Sequence, residues 1–276
     1  MIKKIAVKSV GWLINVSSFF SRSFAANKAL MLFGTPRLGH ITEKQLAFLD
    51  TAHREEFEYD NLSIMTYRWI GGKQTILLGH GWESNAARWK RLITFFKEKD
   101  YNIIAIDAPA HGKSGGKVFN AVIYSEFINV IAKRFQPEII IGHSIGAMAS
   151  VMFQYKYQLD SVEKLILLGS PSDFSDVLER YSEMLGYNQR IRNQINHTII
   201  DKFGQSPEAF STAKFSEHLS SEALIVHDTD DQIIPYEDAL QINKSFKKSK
   251  LITTKGLGHS LNHDSVINYI YEFLDD

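Results

Sequence analysis

The stretch from Glu138 to Gln154, EIIIGHSIGAMASVMFQ, decides how the rest of the chain is read. Pro137 precedes a short β-branched run, Ile139-Ile140-Ile141, and Gly142 closes it. Such a run predicts a strand buried on both faces, as in a parallel sheet. After Ile145 the composition turns to Ala147, Met148, Ala149, Val151 and Met152, which favour a helix. Between the two lies Gly142-His143-Ser144-Ile145-Gly146, a G-x-S-x-G sequence. A strand-to-helix turn this sharp holds the serine in a strained conformation. Glycines on either side let strand and helix pack closely while the hydroxyl points out of the sheet. The helix that starts there offers unpaired N–H groups to developing negative charge. A plain turn with no chemistry has the same local pattern, so the remaining chain must supply the partners that a nucleophilic serine needs.

The 276 residues suit one large α/β domain with an insertion, or else two small domains. Hydrophobic residues at 44% and charged residues at 22% are ordinary for a globular protein. Lys and Arg number 31, as do Asp and Glu, so overall charge makes no case for nucleic acid or for acidic lipid. The absence of cysteine excludes disulfides, thiolate metal sites and a cysteine nucleophile. No stretch reaches the roughly 18 to 20 apolar residues needed to span a bilayer. Near the N-terminus, Ile5, Trp12, Val16, Phe19, Phe20 and Phe24 share one helical face, with Lys4, Lys8, Ser18 and Arg22 elsewhere. The expectation is a retained amphipathic helix, docked on the domain or lying on a membrane surface. Ser23-Phe24-Ala25 gives the segment some likeness to a cleaved secretory leader, but Lys8 and Asn15 interrupt its apolar run.

Working outward along the chain, Thr42-Glu43 starts a helix carrying Leu46, Phe48, Leu49 and Ala52. Leu62 to Ile70 alternates as a strand, Gly71-Gly72 is a tight hairpin signal, and Thr75 to Leu78 is a second strand. Helices are expected over 86–99, 118–135, 236–246 and 263–274. Further strands fall at 102–106, 165–168, 224–226 and 251–254. Alternating strands and helices imply a mostly parallel central sheet flanked by helices. In such sheets ligands bind at the carboxyl ends of the strands. Here His80-Gly81-Trp82, Asp107, Ser144, Asp231 and His259 each follow an apolar strand run.

Taken together, these segments resemble the α/β-hydrolase superfamily over roughly residues 60 to 276. LLGHGWESNAARW resembles its oxyanion segment, IDAPAHGKSGG its D-x-P-x-H-G-x-S loop, and IIIGHSIGAMA its nucleophile elbow. VHDTDDQIIP resembles its acid segment and GLGHS its histidine loop, in the family's order of nucleophile, acid, histidine. The resemblance implies an α/β-hydrolase fold with a helical cap insertion at about 172–216. Residues 1–58 would then be an N-terminal helical extension packed on the core or a membrane surface.

The resemblance also assigns roles. Ser144 would attack an acyl carbonyl, and His259 would take its proton and return it to the leaving group. Asp228, Asp230 and Asp231 compete to orient the imidazole, and Asp231 matches the family's spacing. Asp228 stands where the family usually has glycine, adding charge near the site. The backbone N–H groups of Trp82 and Ile145 would form the oxyanion hole. The Trp82 ring would either wall the pocket or pack. His80 and His143 read as structural hydrogen-bonders, Asp107 and His111 as stabilisers of their loop. His263, one turn after His259, lacks the carboxylate motif of a metal site, so no metal and no cofactor are expected. Within the cap, stripes at Phe174, Val177, Leu178, Tyr181 and Met184, and at Tyr187, Ile191, Ile195 and Ile199, serve packing or an acyl pocket. Arg180, Arg190 and Arg192 would either stand solvated or meet an anionic group of the substrate.

The function that follows is cleavage of carboxylic esters of small to medium acyl groups, or of monoacyl lipids, through an acyl-enzyme on Ser144. A thioesterase, amidase or peptidase on the same scaffold is the nearest alternative, and a non-catalytic binding protein a more distant one. The partners expected are a small-molecule acyl substrate and, through the N-terminal helix, a membrane surface. Nucleic acid is not expected. A cytoplasmic location fits the reading of residues 2–24 as a retained helix.

Overall fold

The computed structural model describes residues 2–275. The chain divides into two compact units, one built from residues 36–172 and 212–276, the other from 1–35 and 173–211.

The first helices in chain order are α1 (Ile2–Phe20) and α2 (Arg22–Gly34), then α3 (Glu43–Leu49). The sheet unit continues with β1 (His53–Tyr59), β2 (Leu62–Trp69) and β3 (Thr75–Gly79). A 3-10 turn over Ala86–Trp89 leads into α4 (Lys90–Glu98), followed by β4 (Asn102–Ile106), α5 (Ala121–Phe135) and β5 (Ile139–His143). Then come α6 (Ile145–Tyr157), β6 (Lys164–Leu168), α7 (Phe174–Leu185), α8 (Gln189–Phe203) and the short α9 (Thr212–Ser216). The chain closes with β7 (Glu222–Asp228), α10 (Tyr236–Ser245), β8 (Ser249–Thr254) and α11 (Asp264–Asp275).

Among the described residues the strands form one eight-stranded sheet in the order β1-β2-β4-β3-β5-β6-β7-β8. The pairs β1–β2 and β2–β4 are antiparallel, and every later pair is parallel. The central strands β3, β4 and β5 are buried along their whole length. Strands buried on both faces give continuous apolar runs, which is why they were easy to find. One core lies under α5 and α6, where Phe127, Ile131, Phe153 and Leu167 meet. The other lies under α4 and α11, where Phe96, Ile141, Leu224 and Ile270 meet.

Two expectations need correction. Gly71-Gly72 does not join a hairpin, because β3 pairs with β4 and β5 and not with β2. The hairpin is β1–β2, turned by Asp60 and Asn61 at φ 48° and 59°. Positive φ at both central residues is the geometry that matches strand twist in a two-residue hairpin. Gly71 is required instead by a close approach, since a Cβ there would stand 2.3 Å from the Tyr101 carbonyl oxygen. Second, residues 36–58 are not part of a helical extension. They include β1, whose sequence HREEFEY alternates and sets Phe57 against Phe135 and Tyr59 against Phe127. The insert likewise ends at 211, as Thr212–Ser216 belongs with the sheet.

The second unit has its own core. Ala25, Ala26 and Ala29 on α2 pack with Ile191, Ile195 and Ile199 on α8, each set repeating at one helical face. Leu178, Leu185 and Tyr187 complete it. The stripe on α8 is therefore packing within this unit. Helix α1 joins through Gly11, where a Cβ would overlap the Leu185 carbonyl oxygen at 1.7 Å. Asn15 donates to the Gly186 carbonyl at 2.8 Å and accepts from the Asn188 N–H at 2.9 Å. Arg192 is not solvated alone, since it pairs with Glu179 and donates to the Tyr187 carbonyl. No helix among the described residues is long and apolar enough to cross a membrane.

Candidate active site

Strand β5 delivers Ser144 into a turn with φ 54° and ψ −126°, a conformation that non-glycine residues rarely adopt. The surrounding packing over-determines it. A Cβ at Gly142 would stand 2.4 Å from the Ala147 Cα, and one at Gly146 2.4 Å from the Gly79 carbonyl oxygen. Only glycines allow α6 to start this close to β5 and β3. The Ser144 N–H donates to the Leu168 carbonyl at 2.8 Å, which fixes the elbow to the end of β6.

Past β7, the chain turns so that Asp231 meets His259, with the His259 Nδ1 at 2.7 Å from Oδ2. An ionised carboxylate only accepts, so Nδ1 carries the hydrogen and Nε2 is left for chemistry. Oδ1 accepts from the N–H groups of Ile233 at 2.8 Å and Ile234 at 3.0 Å. His227 Nε2 lies 3.3 Å from Oδ2 and 2.9 Å from the Ile234 carbonyl. Burial pushes the Asp231 carboxyl up, but the hydrogen bonds from His227, His259 and the two N–H groups outweigh it and hold it well below the usual carboxylate range. Asp230 is exposed, and its carboxylate has no part in this cluster.

The structure brings Asp231 and His259 together directly. Ser144 Oγ is not hydrogen-bonded to His259, and its links to the histidine loop run through its neighbour. His143 Nε2 donates to the His259 carbonyl at 2.8 Å, with the two rings 4.9 Å apart. Burial first, then the nearby Arg88 and His259, hold the His143 ring well below the ordinary imidazole range, so it is neutral. A Cβ at Gly81 would meet the Ser144 Cβ at 3.0 Å, so the Gly81-Trp82 segment lies against the elbow. Among the described residues, neither the Trp82 N–H nor the Ile145 N–H donates to a protein acceptor. The Trp82 ring packs, with its centroid 5.4 Å from Phe119 and 5.6 Å from His111.

His80 is fully buried, with Nδ1 donating to the Gly81 carbonyl at 2.7 Å and Nε2 accepting from the Ala108 N–H at 2.9 Å. Burial, reinforced by His111, lowers its pKa to about 3. Asp107 has its carboxylate engaged within its own loop and neighbouring elements. It accepts from Ala86 N–H, Lys113 N–H and the Tyr67 hydroxyl, while burial pushes its carboxyl up. His111 accepts from the Glu83 N–H at 2.9 Å and steadies the same loop. His263 bonds Ser265 near the start of α11. Among the described residues no group of three or more His, Cys, Asp or Glu side chains could hold a metal ion.

Three residues matter more than their sequence context implies. Asp228 is fully buried, and it accepts from Asp230 N–H at 2.9 Å, Thr254 Oγ1 at 2.7 Å and Leu257 N–H at 2.9 Å. Burial opposes its charge, but these donors and the Gly258 N–H hold its carboxyl below the ordinary range. It thus ties the acid turn to the loop that carries His259, and the charge it adds is fully engaged. The D-T-D spacing, an Asx turn, was the available signal. Arg88 Nη2 donates to the Ser260 carbonyl at 2.8 Å. His143 anchors the adjacent carbonyl. Nothing in sequence order marks Arg88 or the His143 contact, because each joins positions more than a hundred residues apart.

Comparison with known proteins identifies the fold. A family model described as alpha/beta hydrolase fold matches residues 74–220, and one described as TAP-like protein matches residues 201–276. Serine hydrolase-like protein 2 of Homo sapiens is 32% identical over 166 residues, covering 53% of this chain and 49% of that protein. Karrikin insensitive 2 receptor IA of Petunia hybrida is 24% identical over 170 residues, covering 58% of this chain and 60% of that protein. The alignment therefore spans about half to three fifths of the length of these two relatives. Among solved structures, alpha/beta hydrolase domain-containing protein 10 from mouse matches with a TM-score of 0.64 at 16% identity, covering 82% of this chain and 98% of that one. Identity this low speaks for the fold alone.

Proposed function

This chain belongs to the α/β-hydrolase fold family, and on that premise we propose that it is a serine hydrolase cleaving carboxylic esters of small to medium acyl groups or monoacyl lipids. A free serine hydroxyl is a poor nucleophile near neutral pH and needs a base. The His259 imidazole, oriented through Nδ1 by Asp231, is that base. As Ser144 Oγ bonds to the acyl carbon, its proton passes to His259 Nε2. The carbonyl oxygen becomes an oxyanion held by the Trp82 and Ile145 N–H groups, each worth on the order of 3 kcal/mol. The tetrahedral intermediate collapses, the C–O bond to the alcohol breaks, and His259 returns the proton to the leaving oxygen. Water then repeats the sequence on the acyl-enzyme, releasing the acid and restoring Ser144. Asp231 stays ionised throughout and stabilises the imidazolium.

The observation that carries this reading is the 2.7 Å contact between His259 Nδ1 and Asp231, on loops at the same sheet end as the strained serine. Hydrogen bonds of catalytic groups tighten when substrate arrives, so an unbonded Ser144 hydroxyl is compatible with it. A fluorophosphonate probe is expected to label the wild type and not Ser144→Ala. A well-folded wild type that resists labelling would overturn the reading. Hydrolysis rates across p-nitrophenyl esters, thioesters and anilides of increasing acyl length then rank ester against thioester or amide.

One observation favours a second reading. A relative at 24% identity is named as a receptor, so under this reading the same site serves ligand binding more than turnover. Under that reading a probe-reactive Ser144 would accompany ester turnover too slow to saturate a steady-state assay.

A further inference from the structure

We propose that the outward face of α1, continued by the start of α2, docks in the plane of a bilayer surface carrying anionic lipid. The inference is independent of the hydrolase reading and rests on the second unit alone.

Helix α1 has two unlike faces. The inner one presents Val7, Gly11, Ile14 and Ser18, small or slender side chains that seat it on its own unit. The outer one presents Trp12, Leu13, Val16, Phe19 and Phe20, spaced i, i+1, i+4, i+7, i+8 along one stripe. These are the larger side chains, yet they are the exposed ones: Trp12 is 63% exposed, Leu13 60%, Phe19 70% and Phe20 89%. Ser21 breaks the helix and caps α2, accepting from the Phe24 N–H at 3.2 Å, which leaves Phe20 at the bend. Phe24, 54% exposed, extends the patch onto α2. An inner face already satisfied by packing and by the two Asn15 hydrogen bonds leaves the aromatic stripe without a role in holding the unit together.

Charge identifies the occupant. The chain as a whole is neutral, with 31 cationic and 31 acidic side chains. The first 42 residues hold Lys3, Lys4, Lys8, Arg22, Lys28 and Arg37 and not one Asp or Glu. Lys8, Arg22 and Lys28 are exposed in the segment that bears the apolar stripe. Lys28 lies over the Phe24 ring at 5.6 Å, and Arg190 over the Phe19 ring at 5.3 Å. Aromatic side chains rimmed by cations suit the headgroup boundary, where rings enter the acyl edge and ammonium and guanidinium groups meet phosphates. As α1 is not apolar enough to cross a bilayer, it lies along the surface.

The test uses full-length protein and vesicles of phosphatidylcholine alone or mixed with phosphatidylglycerol. Cosedimentation is expected on the mixed vesicles, about tenfold above the neutral ones, and should weaken as salt is added. Of the four tryptophans, Trp69 and Trp89 are buried and the half-buried Trp82 ring packs against Phe119 and His111, so a blue shift on vesicle addition should report Trp12. Trp12→Phe should lose the shift and keep the binding. Phe19→Ser/Phe20→Ser and Lys8→Glu/Arg22→Glu should each lose about tenfold in binding, with circular dichroism and hydrolysis of a water-soluble ester unchanged. Equal, salt-independent sedimentation with both vesicles, or none with either, overturns the proposal. So does a dimer in light scattering that Phe19→Ser/Phe20→Ser dissociates, since a second copy would then cover the stripe. Sedimentation requires no turnover, so a failed hydrolase assay and a failed docking assay are distinguishable.

Discussion

Asp230 and Asp231 are neighbours with the same side chain, and the turn after β7 gives them opposite fates: one faces solvent, the other faces two imidazoles. Under the proposed mechanism Asp231→Asn should lower kcat roughly 10³- to 10⁴-fold, while Asp230→Asn stays near wild type. Equal losses in ester hydrolysis would refute the assignment. The family resemblance singled out Asp231 among three aspartates, and it is the one whose carboxylate meets His259. His80 supports a different measurement. Its folded pKa of about 3 lies below the roughly 6.5 of an unfolded histidine. The unfolded chain therefore takes up the proton first as pH falls. The stability held by neutral His80 is complete above about pH 6.5 and drains at up to about 1.4 kcal/mol per unit towards pH 3. Urea unfolding between pH 7.5 and 5 should show this loss, and His80→Gln should flatten it while lowering stability at pH 7.5.

Apart from the edge strand β8, the strands that end at the site were legible because each is a short apolar run followed by polar residues, and burial on both faces forces that pattern. β1 was not, because only one side of it meets the core and charges fill the other. The Gly71-Gly72 error has the same root: glycine pairs mark turns and close approaches alike, and only the sheet order separates them. Between elements, Asp228 is the tie that counts. Asp228→Ala strands the Leu257 and Gly258 N–H groups, and a lost charged acceptor with several donors costs about 3 kcal/mol or more. The expected result is a lower urea midpoint and about a tenfold loss in kcat with little change in KM, since the loop bearing His259 would wander. Unchanged kcat in a stable Asp228→Ala protein would refute a positioning role.

At the scale of the molecule, the units share no hydrophobic cluster among the described residues, and each can be weakened at one methyl-rich side chain. Ile195→Ala and Ile141→Ala both remove a buried branched side chain, at about 2 to 5 kcal/mol. Trp12 belongs to one unit and Trp69, Trp82 and Trp89 to the other. With Trp69, Trp82 and Trp89 all replaced by Phe, unfolding of Ile195→Ala followed at Trp12 should precede the far-ultraviolet transition. In Ile141→Ala the order should reverse, and coincident curves in both variants would mean that the units unfold as one. That residues 1–35 belong with 173–211 was not legible, because no local pattern encodes a pairing between distant segments. The same pairing sets an order of events during synthesis. At 5–20 residues per second, roughly 140 residues of the other unit pass through the ribosome between the two pieces, a wait on the order of ten seconds. For that interval Ala25, Ala26 and Ala29 have no isoleucines to meet. Until α8 emerges, that face of α2 stays uncovered on the nascent chain.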